Sequence, residues 1–223
     1  MAIRTAAKAE VAAEIVAAAE TLFRNDVMSH TGHANLSGRI SSQEMLLTID
    51  GQVRNLTTDR LGVVNFDGTV LEGELDPTNA EIITMHSEIY KLRPEVGGII
   101  HTHSPNLLAF ALAQEELPCR YEALLRFGQA SEVPVAAWAP RGSERSVSAI
   151  IDAVKQFPDT HAVILANHGV LVFGATPLAA ASLLTVLEEA AEAELHARAL
   201  GGAKDFPEGA LDQVLASMAR VRS

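Results

Sequence analysis

Three histidines limit how this chain can fold more than any other feature. A strand-like run over residues 96–100 ends in His101-Thr102-His103, and a third histidine stands far downstream in a turn-like break, Asn167-His168-Gly169. In an extended strand, residues i and i+2 project from one face about 6.6 Å apart, so two imidazoles there can converge on one ion at about 2.0–2.1 Å. A third ligand from a distant segment completes an open site. Three neutral ligands leave a divalent ion its double charge and an exchangeable position, the arrangement used for Lewis-acid catalysis. The competing reading makes His101 and His103 ordinary strand-end histidines and His168 a turn residue, because histidine is also common as a partly buried side chain.

The 223 residues, 48% hydrophobic and 20% charged, suffice to bury one substantial core, and no linker divides them, so residues 1–223 read as a single domain. A formal net charge of -11, with lysine and arginine scattered along the chain, argues against nucleic acid or an anionic membrane surface as the main partner. A small-molecule substrate is the expectation, and an anionic one needs local positive charge such as a metal. The single cysteine, Cys119, cannot form an internal disulfide, which makes a reducing cytoplasm the default location. Arg4, Lys8, Glu10, Glu14 and Glu20 interrupt the alanine-rich N-terminus at intervals that exclude a continuous signal-peptide core. No stretch is long and apolar enough to span a bilayer.

Residues 6–23 place Val11, Ile15, Ala19 and Leu22 at helical spacing and predict an amphipathic opening helix covering a sheet. Residues 35–40, 44–49 and 61–66 read as strands, the last followed by the hairpin signal Asp67-Gly68 and a short strand over 69–71, so this part is expected to be antiparallel. Helices are predicted over 78–92 and 105–113, on either side of the His101 and His103 strand. Ser143 can cap a helix whose Val147, Ile150, Ile151 and Val154 form an apolar stripe, and strands return over 162–166 and 170–173. Pro177 opens the longest helical run, with Leu184, Leu187 and Ala191 on one face and Glu188, Glu189, Glu192 and Glu194 marking a wetter one.

Five segments occur in a telling order: Asn35-Leu36-Ser37, Met85-His86-Ser87-Glu88-Ile89-Tyr90, Arg93-Pro94, Ile99-Ile100-His101-Thr102-His103-Ser104-Pro105 and Asn167-His168-Gly169-Val170-Leu171. In these the chain resembles the class II aldolase/adducin family, over nearly its whole length. That resemblance implies a three-layer α/β/α domain on a mostly antiparallel central sheet. It also implies a homotetramer with sites near subunit interfaces, and one zinc or manganese ion on His101, His103 and His168.

The resemblance further implies a glutamate near the metal as acid or base, for which Glu81 is the candidate. The family pattern sets that carboxylate four residues before the position of His86, where this chain has Ile82, and residues 77–81 carry one residue more. Thr78-Asn79-Ala80-Glu81 also reads as a capping box, which would occupy Glu81 with its own helix. His86 is expected to be a helix-packing residue and Glu88 a solvated one. Members acting on sugar phosphates hold the phosphate with an Asn-x-Ser loop, a hydroxyl residue before Gly, and a serine pair. Asn35 and Ser37 match the first element, Asp50-Gly51 keeps only the glycine of the second, and Thr78-Asn79 stands for the third. A carboxylate at Asp50 repels phosphate unless neutralised, so a non-phosphorylated substrate is expected, with Asp50 as an outward turn residue the competing reading. Arg39 and Arg141 are candidates for gripping a carboxylate, His33 (or His30) for donating a proton, and Lys204 with 206–223 for completing a neighbouring subunit's site.

The chemistry such a site supports is chelation of a hydroxyl and an adjacent carbonyl or carboxylate, with stabilisation of an enolate as a carbon-carbon bond breaks. The expected activity is therefore a metal-dependent lyase working by retro-aldol cleavage or decarboxylation. A sugar-phosphate aldolase or epimerase is one alternative, and a non-catalytic adducin-like interaction module another.

Overall fold

The computed structural model describes residues 8–221. Helix α1 (Lys8–Arg24) turns Val11, Ile15, Ala18, Ala19 and Leu22 inward at three- and four-residue spacing, as an amphipathic helix must. Arg4 and the first two residues of the predicted 6–23 helix lie outside the described residues. Strands β1 (Ala34–Arg39), β2 (Glu44–Thr48), β3 (Leu61–Asn65) and β4 (Val70–Glu72) follow as an antiparallel series. The turn into β4 is built by Asx contacts: Asn65 Oδ1 accepts from the Asp67 amide and Asp67 Oδ1 from the Thr69 amide.

Helix α2 (Ala80–Leu92) leads to β5 (Gly98–Thr102), α3 (Pro105–Ala113) and the short α4 (Glu122–Arg126). The chain continues through β6 (Val135–Ala136), α5 (Glu144–Gln156), β7 (Ala162–Leu165), β8 (Gly169–Gly174), α6 (Pro177–Ala197) and α7 (Ala210–Val221). The eight strands form one sheet in the order β4-β3-β2-β1-β5-β8-β7-β6. Every pairing is antiparallel except β6 with β7.

Strand alternation assigns the two faces. Leu36, Ile100, Val170 and Val172 pack with α1, α3 and α6, whereas Ile99, Val163, Leu171 and Phe173 pack with α2 and α5. This is the expected α/β/α arrangement on a mostly antiparallel sheet. His101 shares the face of Ile99 and so points towards α2 and α5. Ser143 caps α5 as the sequence predicts, its Oγ accepting from the Ser146 amide at 3.2 Å, and Thr176, ahead of Pro177, caps α6 by accepting from the Ala179 amide at 3.2 Å.

Several expectations are corrected. The short β6, α4 and α7 lie in stretches to which the sequence assigns no element. Glu188 is not on a wet face of α6; it is buried, with its carboxylate on backbone amides of α3. Among the described residues no helix is long and apolar enough to cross a membrane.

Candidate metal centre

His101 is the penultimate residue of β5, opposite Asn35 on β1 and Leu171 on β8. Its Nδ1 lies 3.0 Å from the Val170 carbonyl, which accepts no bond unless that nitrogen carries the proton; Nε2 then keeps its lone pair for an ion. His103 sits one residue past the strand, and His168 in the tight turn between β7 and β8, where Asn167 takes a left-handed conformation (φ 56°). The fold brings the three together: one ligand atom from each lies within 4.8 Å of the others. Burial lowers the pKa of all three, His101 well below the usual 6.5 and His103 to about 4; neighbouring imidazoles add to the effect at His101 and His103, and the Arg141 charge adds to it at His168. All three are therefore neutral at physiological pH, the form that ligates. This donor set fits a divalent ion.

His101 and His168 open onto a cavity of about 340 Å³ between the sheet, α2, α5 and residues 136–142. Ile82, Met85, Val147, Ile150 and Leu165 supply its apolar wall, and Glu81 and Arg141 its polar rim. Arg141 Nε lies 2.9 Å from Glu81 Oε2. The predicted capping box is not formed. Thr78 gives both its amide and its hydroxyl to Asp76 Oδ1, at 2.8 and 2.6 Å, and Asn79 makes no side-chain cap. Glu81 is thus released from its helix start and packs against Gly142, where an added Cβ would come within 2.6 Å of its Cδ.

On the other side, the His33 ring stacks on that of His103, centroids 5.7 Å apart and planes 9° from parallel. It also lies directly on Gly51, where a Cβ would meet His33 Cε1 at 1.9 Å. Burial lowers the His33 pKa, the positive charge of Arg141 lowers it further, and Asp50 opposes both. His30 is exposed.

The remaining substrate-contact candidates fare differently. Ser37 is fully buried, its Oγ between His86 Nδ1 at 2.7 Å and Tyr90 OH at 2.8 Å. Arg39 donates to the carbonyls of Val96 (2.8 Å) and Tyr90 (2.6 Å), its guanidinium over the Phe66 and Tyr90 rings. Both side chains are spent on joining β1 to α2, so the expectation that they bind substrate is corrected. Asn35 and Asn79 are buried as well: Asn79 donates to Thr48 O at 3.0 Å and accepts from Asn35 at 3.4 Å. Asp50 caps the Gln52 amide and is paired with Arg60 at 2.7 and 2.5 Å, so its charge is neutralised and the repulsion argument against phosphate no longer holds. Glu88 pairs with Lys91 on the surface, and Lys204 is exposed.

Arg60 and Trp138 were missed. Nothing in the sequence pointed to Arg60, whereas the lone tryptophan, 59% exposed yet lining the cavity, was a signal available beside Pro140-Arg141-Gly142.

The description of class II aldolase and adducin N-terminal domains matches residues 13–195. A 5-deoxy-D-ribulose 1-phosphate aldolase from Bacillus thuringiensis serovar kurstaki is 31% identical over 155 residues, 68% of this chain and 68% of that protein. A methylthioribulose-1-phosphate dehydratase from Pseudomonas syringae pv. syringae is 25% identical over 205 residues, 86% of this chain and 97% of that one. Among solved structures, an L-fuculose 1-phosphate aldolase superposes with a TM-score of 0.82 at 24% identity, covering 97% of this chain and 99% of its own, which supports the fold. With a matching domain description over most of its length and the same fold around its three histidines, this chain belongs to the class II aldolase and adducin family.

Proposed function

We propose that the chain is a divalent-metal-dependent lyase acting on a small, non-phosphorylated hydroxy-carbonyl or hydroxy-carboxylate compound, by retro-aldol cleavage or decarboxylation. The observation that carries this reading is the convergence of three neutral imidazoles, two of them on the wall of a cavity whose rim bears a carboxylate, Glu81. His101, His103 and His168 hold the ion, zinc or manganese, both of which imidazole suits. When bound, such an ion polarises a carbonyl and offsets the negative charge that develops as the adjacent carbon-carbon bond breaks.

The chain's own groups do the rest. Glu81 takes or returns a proton at Oε1 or Oε2, and Arg141, ion-paired with the same carboxylate, fixes its direction. His33, neutral beside His103, is the proton carrier on the opposite side. The apolar wall excludes water and takes the carbon chain beyond the reacting centre.

The named relatives act on phosphorylated sugars. Here Asn35 and Asn79, counterparts of phosphate-holding residues, are buried and Asn35 Nδ2 is bonded to Asn79 Oδ1, while the His33 ring covers Gly51. This packing favours an unphosphorylated substrate.

The test is metal content per subunit of wild type and His103→Ala, followed by product analysis on matched pairs of compounds with and without a terminal phosphate. The expected result is one ion per subunit, lost in the variant, and faster turnover of the unphosphorylated member of a pair. An aldehyde product selects aldol cleavage, and carbon dioxide without aldehyde selects decarboxylation. No metal after supplementation sinks the lyase reading. Saturating turnover that requires the phosphate sinks the substrate assignment and returns the sugar-phosphate aldolase.

A further inference from the structure

We propose that Glu188, on α6, is a positioning residue for the metal centre and acts on it through α3. The inference rests on reading His101, His103 and His168 as metal ligands. Helix α3 begins immediately after His103, with Ser104 at its N-cap and Pro105 in its first turn. The first amides of any helix lack intrahelical acceptors. Ser104 does not supply one: its Oγ is buried and makes no hydrogen bond. The acceptors come from Glu188, whose Oε1 takes the Asn106 amide at 2.6 Å and whose Oε2 takes the Leu107 amide at 3.0 Å.

This carboxylate is 5% exposed. Burial raises its pKa, and the two amides oppose that shift. Packing α6 against α3 calls only for an apolar side chain, so a buried carboxylate is a costly choice unless the anchoring itself matters. It sits at the positive end of the α3 dipole, where a negative charge is favoured.

The other end of α3 is tied to the second ligand-bearing turn. The Ala111 carbonyl accepts from the Asn167 amide at 2.9 Å, and Gln114, the left-handed C-cap (φ 55°), donates from Nε2 to Asn167 Oδ1 at 2.9 Å. Asn167 directly precedes His168. Helix α3 is therefore a strut of nine residues, about 13 to 14 Å long at 1.5 Å per residue. One end is continuous with His103 and the other is bonded to the turn that carries His168. Glu188 fixes the strut along its axis, and with it the separation of two of the three imidazoles.

Zinc affinity, measured by competition with a chromogenic chelator, tests this in wild type, Glu188→Ala, Glu188→Gln and Leu22→Ala. Leu22 is a buried α1 residue outside the α3 anchoring contacts made by Glu188 and Asn167, and its truncation serves as a control for general loss of stability. Glu188→Ala is expected to weaken zinc binding about tenfold or more, within the range of outer-shell changes. Glu188→Gln, which keeps one acceptor oxygen, should fall between that variant and wild type, and it carries the test if the alanine variant does not fold. Leu22→Ala should lower Tm without changing zinc affinity. In metal-free protein, amide exchange should accelerate in Glu188→Ala at residues 106 and 107 and also at Asn167, a remote effect that a local helix cap does not produce. Unchanged zinc affinity in both Glu188 variants, or an equal loss in Leu22→Ala, overturns the proposal while leaving the metal centre standing. A wild type that binds no zinc or manganese overturns both.

Discussion

Acidification should reveal His86 as a neutral imidazole locked inside the fold. The side chain is fully buried, its Nδ1 meets Ser37 Oγ, and its Nε2 has no hydrogen-bond partner. A second proton would place a charge in the interior with nothing to accept one of its N–H groups, so burial drives the pKa from 6.5 to about 3. The folded pKa lies below the unfolded one. The contribution is therefore present above pH 6.5 and is lost as pH falls towards the folded value, because the unfolded chain takes up the proton first. At about pH 5 the loss is about 2 kcal/mol, from 1.36 kcal/mol per pH unit over roughly one and a half units. That figure depends on the unfolded value alone as long as the folded pKa stays well below 5. His86→Gln keeps a hydrogen-bonding group near Ser37 and does not titrate. Urea unfolding of both chelated proteins at about pH 7.5 and about pH 5 should show wild type losing about 2 kcal/mol more than the variant across the interval. The other buried histidines titrate in both proteins and cancel. Equal pH dependence in the two would refute the reasoning, since it would mean that His86 binds its proton as readily folded as unfolded.

Two further substitutions separate packing from site function. Gly51→Ala drives a Cβ into the His33 ring, so either stability falls by about 1 to 3 kcal/mol or the ring leaves its stack on His103 and turnover falls with Tm unchanged; a variant normal in both would mean the contact is dispensable. Arg39→Leu leaves the Val96 and Tyr90 carbonyls without a donor and should cost about 2 kcal/mol or more in unfolding free energy. KM should not change, and a raised KM with normal stability would restore Arg39 as a substrate contact.

Elements whose signal is local were legible in the sequence. Helix α3 starts at Pro105, the β3 to β4 turn forms at Asp67-Gly68, and α5 starts behind the Ser143 cap, because capping and turn residues act over a few positions. The two-residue β6 has too little sequence to carry a period, and it is a strand only because β7 lies beside it. Side-chain direction was harder still. Ser37 and Arg39 sit in a motif that resembles a substrate loop, yet their partners, Tyr90 and His86 on α2, decide that they face the core. Glu188 follows the same rule in reverse: helical spacing set it beside Glu189 and Glu192, and only the arrival of α3's unpaired amides turned it inward.

Helix geometry decides which way Glu81 and Ile82 face. Around an α-helix, residues four apart lie about 40° from one another and residues five apart about 140°. At four residues before His86, Ile82 therefore stands on the His86 side of α2 and is buried, 4% exposed. Glu81, one step earlier, is turned away from the His86 and Ser37 network towards Arg141 and Gly142 on the cavity rim. The 3-10 turn Pro77–Asn79 leads into α2, and its Asn79 side chain bonds across to β1 and β2 instead of capping the helix. That direction gives Glu81 an arginine partner. The carboxylate is therefore held at the cavity rim by its ion pair with Arg141 and not by its own helix start, so replacing Arg141 removes the contact that fixes its direction.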